Sequence, residues 1–64
     1  MAGNLRGLVM AISEKAVEIR LETGVVIHLP PERVTDNVEK YDTVMVGYDY
    51  INRRYTRGHV VSQI

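Results

Sequence analysis

Apolar residues recur at every second position along much of the chain, the period of a β-strand with one face buried. Val17, Ile19 and Leu21 alternate with Glu18, Arg20 and Glu22; the alternation resumes at Val25, Ile27 and Leu29. The turn between these runs follows from the register that keeps the apolar sets together. A two-residue turn at Thr23-Gly24 sets Leu21 against Val26 and Ile19 against His28. A three-residue turn, Glu22-Thr23-Gly24, sets Leu21 against Val25, Ile19 against Ile27 and Val17 against Leu29. It predicts six aliphatic side chains on one face, a set that a one-residue slip breaks. It also predicts Gly24 at the left-handed position of a bulge, where a Cβ costs energy. On the other face Glu18 then lies opposite His28, and Arg20 opposite Val26.

The same pattern predicts a first strand over 5–12, ended by Ser13-Glu14-Lys15. A fourth strand is expected over 43–50, with Val44 and Val46 inward and Tyr48, in phase with them, capping the core. A fifth is expected over 55–62, with Gly58 and Val60 inward and Arg57, His59 and Val61 outward. Between the third and fourth strands, Pro30 and Pro31 cannot donate to a ladder but suit the first turn of a helix. One helical turn near residues 31–35 is expected there. Five strands with a helical turn between the third and fourth predict a small all-β, OB-like barrel. An SH3-like barrel is the alternative, because its connections are of similar length.

Composition narrows the picture. Sixty-four residues predict a single domain, 1–64, with a thin core, since a chain of this size buries only about 60% of its unfolded surface. Phe, Trp and Cys are absent, so the core is aliphatic and neither disulfides nor zinc thiolates contribute. With no signal-like segment and no apolar run near 18 residues, the expectation is a soluble, cytoplasmic protein without a membrane partner. The formal charge is zero but unevenly spread. Residues 1–49 carry five basic and eight acidic side chains, whereas residues 50–64 carry Arg53, Arg54 and Arg57 and no acid. A neutral total argues against coating nucleic acid nonspecifically, yet leaves room for a local basic patch.

Two segments carry a resemblance. Tyr41-Asp42-Thr43-Val44-Met45-Val46 resembles the GD-x-V-x-V pattern that opens the fourth strand of S1-like OB folds. Thr56-Arg57-Gly58-His59-Val60 resembles the T-R-G-R-I run that opens the last strand of the bacterial translation initiation factor one family. The likeness covers residues 42–61, and residues 7–29 only generically. It implies an S1-like OB fold that binds the small ribosomal subunit through basic residues. Arg57 would then contact phosphate, and Thr56 and Gly58 would shape the start of the last strand. The family has arginine where His59 stands and glycine where Tyr41 stands. Its connection after the third strand is rich in Lys and Arg, where this chain has Glu32, Asp36 and Glu39.

Read for chemistry, strands two and three offer little to nucleic acid. Glu18 and Glu22 repel phosphate, and no aromatic is there to stack a base. The connection between strands four and five differs. Arg53 and Arg54 form its tip, Tyr50 and Tyr55 flank it, and Arg57 and His59 share a face beyond it. Arginine suits phosphate and tyrosine can stack a base, so RNA or another single-stranded nucleic acid is the expected partner of these six residues. The bland counter-reading is a solvated hairpin in which Asp49 pairs with one arginine. His28 and His59 each stand alone, without cysteine or paired carboxylates at ligand spacing, so no metal site is expected. Ser13 and Ser62 lack a triad, and there is no phosphate-cradling glycine loop. No enzyme and no cofactor are expected. The alternative function is protein interaction or homo-oligomer assembly. Leu5, Leu8, Met10, Val26, Met45, Val61 and Ile64 cannot all face one small core, and a second apolar surface would use them.

Overall fold

The computed structural model describes residues 2–35 and 37–61. Asp36, Ser62 and Ile64, which entered the sequence readings above, lie outside the described residues. The elements in order are β1 (Ala2–Ile12), β2 (Val17–Leu21), β3 (Val26–Leu29), a 3-10 turn η1 (Pro31–Arg33), β4 (Thr43–Asp49) and β5 (Arg54–Val60). They form one antiparallel sheet in the order β3-β2-β1-β4-β5, curled into a half-barrel. Placing β1 between β2 and β4, with the helical turn between β3 and β4, is the OB-like arrangement. An SH3-like barrel would set its first strand beside the last, so that alternative falls.

The β2–β3 register is the three-residue-loop one: Val17 faces Leu29, Glu18 faces His28, Ile19 faces Ile27 and Arg20 faces Val26. The Leu21 N–H donates to the Val25 carbonyl at 2.7 Å, and the Gly24 N–H to the Leu21 carbonyl at 2.8 Å. Gly24 sits at φ +94°, a conformation an L side chain resists. One expectation fails here. Val25 does not join the buried face but stands 48% exposed at the turn, before the ladder that starts at Val26.

The core gathers Val9, Val17, Ile19, Leu21, Ile27, Leu29, Val34, Val44 and Val46. Leu5, counted above as surplus, is half-buried against it, as are Val38, Tyr55 and Val60. β1 begins three residues earlier than expected, since Ala2, Gly3 and Asn4 pair with Asp49, Tyr48 and Gly47. β4 ends at Asp49, leaving Tyr50 in the loop, and β5 runs over 54–60 rather than 55–62. The helical turn spans Pro31–Arg33, shorter than expected, because Val34 turns extended and becomes buried. Among the described residues no ladder joins β3 to β5. Side chains bring the two edges together instead: a Cβ on Gly58 would lie 3.5 Å from Leu29 Cδ1 and 3.6 Å from Ile19 Cδ1. Val34 adds a parallel bridge to Gly58, and the Thr35 N–H donates to the Gly58 carbonyl at 3.0 Å.

Candidate nucleic-acid interface

The β4–β5 connection is a four-residue loop, Tyr50 to Arg53, organised by one carboxylate. Asp49 Oδ1 accepts the Ile51 and Asn52 N–H groups at 2.9 and 3.2 Å, and Oδ2 accepts the Asn52 side-chain amide at 2.7 Å. The Asn52 side-chain bond, then its backbone N–H, hold the Asp49 carboxyl below its ordinary range. The counter-reading that pairs Asp49 with an arginine does not hold: Arg54 faces Asp49 in the ladder, but the carboxylate accepts the turn's N–H groups instead, as Asx residues commonly do. Arg53 closes the loop at φ +55°, a left-handed conformation held by a non-glycine residue.

Behind the loop stands an aromatic group. The Tyr48 ring meets Tyr50 edge-on at 5.1 Å and Tyr55 at 4.8 Å. Gly3 pairs with Tyr48, and the Tyr50 ring takes the room a side chain there would need: a Cβ would lie 2.7 Å from the Tyr50 hydroxyl. Tyr50 remains 53% exposed. Tyr55 is half-buried and packs on the core, so of the two flanking tyrosines Tyr50 is the one presented to solvent. The phase changes at a bulge, since Val46 faces Gly58 while Tyr48 faces Tyr55. One residue of β4 thus opposes two of β5, and the bulge puts Tyr55 on the core face. Tyr48, expected to cap the core, lies between the other two rings.

The arginines converge with a residue that the sequence did not single out. Arg33, on η1, lines a groove of about 310 Å³ with Arg54, Thr56 and Arg57. Beside it a second groove, of about 260 Å³, runs from Glu32, Arg33 and Arg57 to His59. Arg57 and His59 are exposed, as expected from their shared face. Arg53 is exposed at the loop and does not line either groove. No arginine forms an ion pair with a described carboxylate; the one described pair is His28 Nε2 with Glu18 Oε1 at 3.1 Å, on the β2–β3 outer face. What could have revealed Arg33 is the Pro-Pro turn ahead of it, which returns the chain along the β5 edge through the Val34–Gly58 bridge.

Elsewhere, the Ser13 hydroxyl is engaged in its own turn, accepting the Lys15 and Ala16 N–H groups. Among the described residues no cluster of three or more His, Asp or Glu could hold a metal ion. Nor is any described helix long and apolar enough to cross a membrane. Comparison with protein families, characterised proteins and solved structures returned no match.

Proposed function

We propose that the chain is a non-enzymatic binding module that contacts RNA, or another single-stranded nucleic acid, through the β4–β5 loop and the adjoining arginine edge. The observation that supports this reading is the groove shared by Arg33, Arg54 and Arg57, three guanidinium groups without described carboxylate partners. A guanidinium fork fits phosphate bidentately, and Glu32 and Asp49, the nearby acids, form no ion pair with these arginines. Tyr50 adds a ring for a base, and the S1-like resemblance of residues 42–61 points to the same class of ligand.

The test is fluorescence anisotropy with a short RNA pool. Arg33→Ala, Arg54→Ala and Arg57→Ala should each weaken binding, while Arg20→Ala, in a separate groove with Arg6 and Leu8, should not. Equal losses from all four substitutions would reject the site.

Self-association through the outer face ranks second. Leu8 and Val26 are exposed there, but Arg20 stands between them in register and divides the surface.

A further inference from the structure

Ile51 is 77% exposed, the most exposed of the large apolar side chains among the described residues. A single exposed aliphatic residue is ordinary. Its setting is not. It stands on a turn fixed from one side by the Asp49 carboxylate and closed on the other by Arg53 in the left-handed region. Tyr50 precedes it, with its ring resting over Gly3, and Arg53 and Arg54 follow. The loop thus presents one apolar point on a hydrogen-bonded turn, with Arg53 and Arg54 two and three residues further on.

We infer that Ile51 is a wedge that enters a base step of structured RNA, at the junction of a stem with a bulge or loop, while Arg53 and Arg54 hold the neighbouring phosphates. This rests on the RNA reading above and narrows it. Apolar side chains that enter base steps offset the cost of unstacking by burying themselves, and that cost is least where stacking is already interrupted. Rigid display matters because an entering side chain must not spend its gain on ordering the loop that carries it. An unstructured strand has no fixed step to enter, so the wedge favours folded RNA over a loose strand of the same length. A lipid surface fits less well, since Asn52 stands beside Ile51 and no other aliphatic residue lies in the loop.

The test uses the full chain and two RNAs of equal length, a hairpin with a one-nucleotide bulge and an unstructured strand. The hairpin carries 2-aminopurine next to the bulge, whose fluorescence rises when it unstacks. The wild-type chain should raise that fluorescence on binding. Ile51→Ser should abolish the rise and weaken hairpin binding roughly ten-fold, the scale of losing one buried aliphatic side chain. Binding of the unstructured strand should hold within about two-fold, because the phosphate contacts are intact. Ile51→Leu should restore the rise. Hairpin binding without a fluorescence change, or an equal effect of Ile51→Ser on both RNAs, overturns the wedge and leaves the RNA reading standing. Failure of the wild-type chain to bind either RNA at low salt removes both.

Discussion

The two hairpins that flank the sheet solve the same problem in opposite ways. In β2–β3 the left-handed position belongs to Gly24, around which nothing lies within 4 Å of a would-be Cβ. On its outer face Glu18 Oε1 and His28 Nε2 meet in a hydrogen bond of 3.1 Å. In β4–β5 the left-handed position belongs to Arg53; Arg54 faces Asp49 and Arg57 shares a groove with Glu32, yet neither arginine forms an ion pair with a described carboxylate. The first hairpin spends its residues on its own stability. The second keeps a non-glycine residue in the left-handed region, at a cost of order 1–2 kcal/mol. A segment that keeps such costs on its surface is better explained by what it presents than by what it stabilises.

The comparison can be broken most forcefully in the first hairpin. Ile19 is fully buried and packs across the β3–β5 seam, so Ile19→Ala should lower unfolding free energy by about 2–5 kcal/mol in a urea titration. A loss below 1 kcal/mol would mean that the core does not rest on β2. Next in size, Gly24→Ala should cost about 1 kcal/mol or more, and Gly24→Asn less, since Asn tolerates the left-handed region better. Equal, negligible losses would reject the turn. Arg53→Gly sharpens the contrast because it should act in the opposite direction. It removes the left-handed penalty at some entropic cost, for a net gain of a few tenths of a kcal/mol, while weakening RNA binding. If thermal melting shows a clear loss of stability instead, Arg53 is structural rather than displayed.

The smallest effect concerns pH. The Asp49 carboxyl is held below its usual range by the Asn52 and Ile51 contacts, so its contribution is present above its unfolded pKa, about 3.9, and fades as pH falls through the lower folded value. Amide exchange at Ile51 and Asn52, corrected for its intrinsic pH dependence, should gain no protection between pH 7 and 5 and lose it only below about pH 4. Loss of protection near neutrality would contradict the turn described here.

How much of this was legible in the sequence follows from what local pattern encodes. The β2–β3 register was readable because alternation, Gly24 and the six-residue apolar set agree. Val25 misled, since alternation in sequence does not show where the core ends, and Val25 stands exposed beside the turn. The start of β1 was hidden, because Ala2-Gly3-Asn4 has no apolar period and is held by pairing with β4. Arg53, Arg54 and Arg57 could be seen as a cluster, whereas Arg33 had only the Pro-Pro turn as a signal, because the return of the chain along β5 is what brings it there. The roles of Tyr48 and Tyr55 depend on the bulge opposite Gly47, a feature of pairing rather than of either strand alone.

The central claim is that the arginine edge holds phosphate, and salt tests it most directly. Anisotropy with a short single-stranded RNA should be measured from low to physiological salt, for the wild-type chain and for Arg57→Ala. The account predicts that log affinity falls linearly with log salt, by about 0.7 for each phosphate held, and that the slope becomes shallower by about that much in the variant. Affinity indifferent to salt, or no binding at low salt, would contradict it.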